Sequence, residues 1–228
     1  HRVGVGAVGR RALERERAAG TAREVARAAA VFDQRGCVSP QVVWVEEGGA
    51  ESPRSFARRV AEAFAELEGR LPGGRLDPEE ASALHQLRGT EELRAAAGAG
   101  VEVRHGGAAT WTVVWDPDPS FAPTCVGRVL RIKPLSDLMR LPELLEPVAR
   151  HLQTVGLAGA GARRAEVAEA VARAGASRVT RFRDVPFPPP WWHHDGQGAL
   201  AVLLRWADLE DVDGDSAGGE RGPSGGGA

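Results

Sequence analysis

The chain has 228 residues, 43% of them hydrophobic, with a formal net charge of −2. That length suits one or two domains, and the apolar fraction supports a real core. The near-neutral charge gives no electrostatic case for nucleic acid or an anionic membrane surface. No apolar run approaches the roughly 20 residues that span a bilayer. Two Cys do not suggest a disulfide scaffold, so a reducing cytoplasm is the default compartment. Arg outnumbers Lys 28 to one, and Lys133 is the single exception. The first residue is His1 and the only Met is Met139, so we expect a fragment of a longer chain. No signal peptide is visible.

Taken in order, residues 1–9 read as a short strand or loop that enters a helix over Gly9 to Ala18. A second helix is expected over Thr21 to Phe32. Thr21 is its N-cap, and Val25, Ala28, Ala29 and Phe32 share one face. Gln41 to Glu46 is β-branched and aromatic, which favours a buried strand. Ser55 to Leu71 places Phe56, Val60, Ala63, Phe64 and Leu67 at helical spacing. Asp77-Pro78-Glu79-Glu80 combines an N-cap, a first-turn Pro and acids at the positive dipole end, so a helix runs towards Ala97. Val101 to Val103 and Thr110 to Trp115 read as strands around a Gly106-Gly107 turn. A Pro-rich loop leads to a strand over Gly127 to Ile132, then a helix over Leu138 to His151 broken at Pro142 and Pro147. A strand at Thr154 to Leu157, a helix at Arg163 to Ala174 and a strand at Ser177 to Phe182 follow. This alternation predicts an α/β layered domain over residues 1–210. Residues 211–228 are Gly-, Asp- and Ser-rich and are expected to be disordered.

Cys37 is the most informative residue. It lies in Asp33-Gln34-Arg35-Gly36-Cys37-Val38-Ser39-Pro40-Gln41, between a helix pattern and a strand pattern. A rigid scaffold that holds a short loop is a common way to place a nucleophile. A free Cys is more often a small buried core residue. Here the Gly before it and the Ser-Pro after it argue for a special turn. Cys125, before the strand at Gly127, reads as a buried small residue. Trp44, Trp111 and Trp115 lie within strand patterns, and core packing explains them.

Two other patterns carry less. Gly4-Val5-Gly6-Ala7-Val8-Gly9 matches the Gly-x-Gly-x-x-Gly dinucleotide fingerprint, but only three residues precede it. We read these glycines as letting a strand bend into the next helix. His193-His194-Asp195 lacks the further ligands that structural zinc needs, so no metal is expected. His193 and His194 stay open as acid–base candidates, since His titrates near neutral pH.

Residues 33–41 resemble the nucleophile loop of the aldehyde dehydrogenase superfamily, where a Gln precedes the Cys and a strand and long helix follow. More specifically they resemble the LuxC-type acyl-CoA reductases, whose acylated cysteine lies in Asp-Gln-x-Gly-Cys-x-Ser-Pro-Gln. Pro188-Pro189-Pro190-Trp191-Trp192-His193-His194-Asp195-Gly196 is a second match, and Leu152 to Leu157 a weaker third. The resemblance implies an aldehyde dehydrogenase-like catalytic domain whose N-terminal cofactor domain is largely missing. It implies reduction of a long-chain fatty acyl-CoA to fatty aldehyde with NADPH. Cys37 is then the acylated nucleophile, supported by Gln34, Arg35, Gly36 and Ser39. Arg35 is the nearest cation for the thiolate, and the Cys37 N–H is a candidate oxyanion donor. The Pro188 to Gly196 loop is expected to bury both indoles near the Cys37 face. The acid that activates water in hydrolytic relatives has no counterpart around Val3 to Gly6, which suits an enzyme that must hold a thioester. The resemblance also implies an acyl-enzyme donor or acyl-protein synthetase partner, or a homo-oligomer. The alternatives are a cysteine thioesterase, with Cys37 paired to His85, His105, His151, His193 or His194, and a non-catalytic subunit.

Overall fold

The computed structural model describes residues 2–107, 110–198, 203–205 and 207. Seven strands form one sheet in the order β3-β4-β5-β2-β1-β6-β7. They are β1 Val3–Val8, β2 Pro40–Glu46, β3 Glu102–His105, β4 Thr112–Trp115, β5 Val129–Leu135, β6 Leu152–Ala158 and β7 Arg178–Thr180. All neighbours pair parallel except β3 and β4, which form an antiparallel pair. Parallel strands need crossovers, and helices supply them. The helices are α1 Arg15–Ala30, α2 Pro53–Glu68, α3 Pro78–Ala96, α4 Leu141–Leu145 and α5 Arg164–Arg173.

Strand alternation divides the core in two. Val8, Val43, Val45, Val113, Leu130 and Ile132 face α1 and α2, joining Val25, Phe56, Val60 and Phe64. Val5, Ala7, Val42, Trp44 and Val155 face the other way, against Leu138, Leu141, Leu145, Val167 and Val171. On that second face α3 meets the sheet through charge. Arg88 donates to the Thr112 hydroxyl, Arg94 to Asp116, and Lys133 to Asp116 at 2.9 Å. Lys133 is 1% exposed and Asp116 2%. Burial pushes the lysine's pKa down; burial also pushes the Asp116 carboxyl up, but Arg94 and Lys133 together outweigh it and hold that carboxyl below its usual range. Trp44, Trp111 and Trp115 are all buried, and Trp111 stacks on Phe64.

The glycines of the Gly-x-Gly-x-x-Gly stretch permit close packing. A Cβ on Gly6 would lie 2.5 Å from the Phe182 ring, and one on Gly9 would lie 2.6 Å from the Gly159 carbonyl. This corrects the expected bend: the first two glycines are within β1.

The two expected helices before residue 32 are one helix. A 3-10 turn at Arg10–Leu13 leads into α1, and Thr21 is in its interior; Glu14 is the N-cap. Gly20 costs about 1 kcal/mol in a helix. The unbroken buried stripe of Ala18, Ala22, Val25, Ala26 and Ala29 overrides that cost. Gly127 and Arg128 both take positive φ, so β5 starts at Val129 and runs on through Pro134. The Leu138 to His151 stretch does break as expected, into a 3-10 turn, α4 and a second 3-10 turn. The segment 211–228 is outside the described residues.

Edge strand β3 is tied to α2 by Glu102, which accepts from Arg54 and Arg58. The Arg58 hydrogen bond leads in holding the Glu102 carboxyl down to about 2, against an ordinary 4.5. A depressed carboxylate stabilises the fold above its unfolded pKa, and that contribution is lost as pH falls through 4.5 towards 2. Both arginines are about half exposed, so screening limits the effect to about 1 kcal/mol. Glu102→Gln is therefore expected to lower stability slightly at pH 7 and to flatten the decline between pH 4.5 and 2. Denaturant midpoints across that range check it; parallel wild-type and variant curves would refute it.

Candidate active site

The Cys37 loop begins with three consecutive residues in the left-handed region: Phe32 (φ 58°), Asp33 (φ 51°) and Gln34 (φ 62°). None is Gly, and each such residue costs on the order of 1 kcal/mol or more. This turn ends α1 and reverses the chain towards β2. Strain of this kind persists only where the surroundings over-determine it.

Gln34 supplies much of that constraint. It is 7% exposed. Its Nε2 donates to the carbonyls of Pro40 and Val129, at 2.8 and 2.6 Å, and its Oε1 accepts from the Val129 N–H at 2.8 Å. Asp33 is fixed separately. Its Oδ1 accepts from Arg128 at 2.7 Å, and its Oδ2 accepts from the Gly74 N–H at 3.1 Å. Arg128 also donates to the carbonyls of Leu71 and Pro72. The loop is thus bolted to β2, to β5 and to the segment after α2.

Gly4 passes beneath the loop. A Cβ there would lie 2.3 Å from the Val38 carbonyl oxygen, so only Gly fits. The Ser39 N–H donates to the Gly36 carbonyl at 2.9 Å, and Ser39 is buried with its hydroxyl close over Gly36. Cys37 is half-buried and packs against the α1–α2 core. Arg35 donates twice to Glu80, at 2.5 and 2.7 Å. Glu80 also completes the capping box of α3 with Asp77. The Arg35 guanidinium is therefore occupied by a carboxylate at the start of α3, and that hydrogen bond raises its pKa.

The second matched segment returns to the same edge of the sheet. Gln153, at the start of β6, donates to Asp195 at 2.8 Å and is 3.5 Å from the His194 ring nitrogen. Asp195 also pairs with Arg2. Trp192 packs on the core that Cys37 joins, edge-on to His194 at 5.0 Å and beneath Arg178. Trp191 is 78% exposed. Of the two indoles expected to be buried, Trp192 is partly buried and Trp191 is exposed. His193 is exposed and His194 is 60% exposed. β1 separates β2, the strand that follows Cys37, from β6, whose Gln153 contacts His194 and Asp195, so those two strands are about 10 Å apart by strand spacing. His105 is at the far edge of the sheet, on β3, with its ring nitrogen on the Gly106 carbonyl. Among the described residues no group of three His, Cys, Asp or Glu side chains is placed to hold a metal. No helix among them is long and apolar enough to cross a membrane.

Sequence reasoning missed Asp33, Arg128 and Gly4 as loop supports. Gly4 was legible as a glycine demanding close approach, but the partner was not.

The family model for acyl-CoA reductase (LuxC) matches residues 1–206. The chain belongs to that family. The fold is that of the aldehyde dehydrogenases. It is similar to an NAD-dependent benzaldehyde dehydrogenase from Corynebacterium glutamicum at 17% identity and TM-score 0.56, over 78% of this chain and 39% of that one. It is similar to an NADP-dependent glyceraldehyde-3-phosphate dehydrogenase from Bacillus halodurans at 14% identity and TM-score 0.57, over 79% and 38%. An NAD-dependent aldehyde dehydrogenase from Burkholderia multivorans matches at 18% identity and TM-score 0.54, over 79% and 35%. The chain thus spans under two-fifths of the length of each. No curated protein matches it.

Gln34→Leu keeps the side-chain size and deletes the amide. Three backbone groups then lose their partner, at roughly 1–3 kcal/mol for each one left buried. The expected loss is about 2–4 kcal/mol in denaturant unfolding. A loss under about 0.5 kcal/mol, the level of an ordinary surface substitution, would show that the loop is held by other means.

Proposed function

We propose that Cys37 is the acyl-accepting nucleophile of an enzyme that reduces long-chain fatty acyl-CoA to fatty aldehyde with NADPH. The single observation that carries this reading is the cysteine loop itself. A strained left-handed turn is held by Gln34, Asp33, Arg128 and Gly4, and it presents a half-buried thiol at the amino edge of the sheet. Family membership over residues 1–206 supports the acyl-CoA substrate.

The Cys37 sulfur, as thiolate, attacks the thioester carbonyl carbon. A new S–C bond forms, the bond to the coenzyme A sulfur breaks, and coenzyme A leaves with the proton given up by the Cys37 thiol. The backbone N–H of Cys37 is the candidate donor to the oxyanion; one such donor is worth about 10²–10³ in rate. Gln34 and Gly36 act by fixing the backbone that carries this N–H. The dinucleotide-fingerprint glycines offer no cradle for the nicotinamide cofactor's phosphates. The glycines that match the dinucleotide fingerprint are filled by the Val38 carbonyl, the Phe182 ring and the Gly159 carbonyl. Those glycines therefore do not fit a dinucleotide. An acyl-transferring protein and self-association remain candidate partnerships.

Acylation is tested with radiolabelled long-chain acyl-CoA and no nucleotide. Wild-type chain, as the full protein, is expected to carry label that Cys37→Ser abolishes and Cys125→Ser leaves nearly intact. Burial pushes the Cys125 thiol pKa up, which disfavours its reactive thiolate. Label that persists at wild-type levels in Cys37→Ser would sink the assignment. Release of free acid at the same rate as label loss would favour the thioesterase alternative.

A further inference from the structure

A groove of 680 Å³ runs along α1 and α2, lined by Arg23, Arg27, Val31, Leu67, Arg70 and Phe187 among others. Its apolar side leads to the Cys37 loop. Phe187 is half exposed and stands edge-on to Phe32 at 6.3 Å, and Phe32, itself 61% exposed, opens the left-handed turn. Leu67 and Cys37 pack against the same core. The polar side of the groove is basic. Arg23, Arg27 and Arg70 are exposed, and among the described residues none of them makes an ion pair or a side-chain hydrogen bond. Arg27 lies over the Phe187 ring at 5.5 Å instead. Glu66, the acid in the lining, bridges to none of the three. By contrast Arg54, Arg58 and Arg59 on α2 each hold a carboxylate. Free guanidiniums beside an exposed apolar strip leave capacity for an anion, and Arg is the side chain whose fork matches a phosphate.

We propose that this groove holds the coenzyme A portion of the acyl donor. The pantetheine arm lies along Val31, Leu67 and Phe187, and the pyrophosphate and ribose phosphate meet Arg23, Arg27 and Arg70. The lengths agree. Arg27 and Arg23 precede Phe32 by five and nine residues, about 8 and 14 Å along a helix that rises about 1.5 Å per residue. The extended arm, with its two amide units, is as long as four or five residues of main chain, roughly 15 Å. Arg23, Arg27 and Val31 are four apart in sequence, so they stand in one row that points to the Cys37 turn. The chemistry agrees as well. A fatty acyl chain would fill the apolar side and leave the guanidiniums without partners, whereas the coenzyme A portion uses both sides. The part this site plays in turnover rests on the reading of Cys37 as acyl acceptor; the binding itself does not.

The test is calorimetric binding of free coenzyme A, which carries no acyl group, to the 228-residue chain at low salt. Arg27→Gln and Arg70→Gln are each expected to weaken binding about tenfold, the scale of one charge-assisted hydrogen bond. Arg15→Gln removes an exposed arginine from the opposite end of α1 and is expected to bind as wild type does. All three side chains are exposed, so matching melting temperatures serve as the folding control. Pantetheine, which has the arm without the phosphates, is expected to bind at least tenfold more weakly than coenzyme A. NADPH, which has the phosphates without the arm, is expected not to displace it at equal concentration. The proposal is overturned by absence of binding to wild type, by equal affinity in both rim variants, by an equal loss in Arg15→Gln, or by displacement with NADPH. Cys37→Ser is expected to keep wild-type affinity for coenzyme A, so failure of this assay and failure of the acylation assay are separate results.

Discussion

The carboxamide of Gln34 completes the sheet at the point where the main chain cannot. Val42 of β2 pairs with Arg131 of β5. Two residues earlier the same register sets Pro40 opposite Val129, and Pro has no N–H to give. The Gln34 side chain carries one donor end and one acceptor end, as a peptide unit does. It donates to the Val129 carbonyl and accepts from the Val129 N–H, and it also holds the Pro40 carbonyl. The missing rung of the ladder is therefore supplied from the loop that bears Cys37. Sheet register and thiol position become one constraint. Only a residue with an amide of this reach meets it, and it must adopt φ 62° to do so.

The two edges of the sheet are treated differently. Ligands of open α/β sheets usually bind at the carboxyl ends of the strands. Here Glu46, fully buried at the end of β2, ties that end together. Arg163 donates to both of its oxygens at 2.9 Å, and the N–H groups of Arg10 and Leu138 donate to it at 3.0 and 3.2 Å. A buried carboxylate with that many donors is a structural lock, since removing any partner leaves charge without compensation. The amino edge is instead where the Cys37 turn, the start of β6 and the Trp192–Asp195 segment converge.

Much of this was legible in the sequence, and the reasons differ by feature. Strands and helices followed from alternation, Pro-Glu-Glu starts and β-branched runs, because those patterns reflect burial and propensity within one element. The capping box at Asp77 and Glu80 is as local as its signal. What failed was non-local. Asp33 and Arg128 are 95 residues apart, and nothing near either names the other. Three positive-φ residues in Phe32-Asp33-Gln34 run against the preferences of Phe and Gln, so no propensity predicts them. Trp191 and Trp192 read as an equivalent pair, yet the chain turns between them and packs only the second on the core. The Lys133–Asp116 pair hid for a related reason. A lone Lys in an Arg-rich chain carries no pattern, and its burial depends on Arg94 and α3 arriving from another part of the chain.

This separation also explains how identities of 14–18% coexist with a shared fold. Most sheet positions ask only for a branched apolar side chain of roughly the right volume, and cores tolerate such exchanges if patterning is kept. A few positions are stricter because they are set by contact at the backbone. Gly4 must admit the Val38 carbonyl, Gly156 must admit Phe182, and Gly159 must admit Ala12 at φ 66°. Within the segment from Asp33 to Pro40 the demands are stricter still. Asp33, Gln34 and Arg35 each hold a partner outside the loop, Gln34 through Val129, and Gly36 and Ser39 hold one another. Sequence similarity should therefore concentrate in the loop and fade in the strands. That is why the residues around Cys37 pointed to a family while the strand patterns pointed only to an α/β layer.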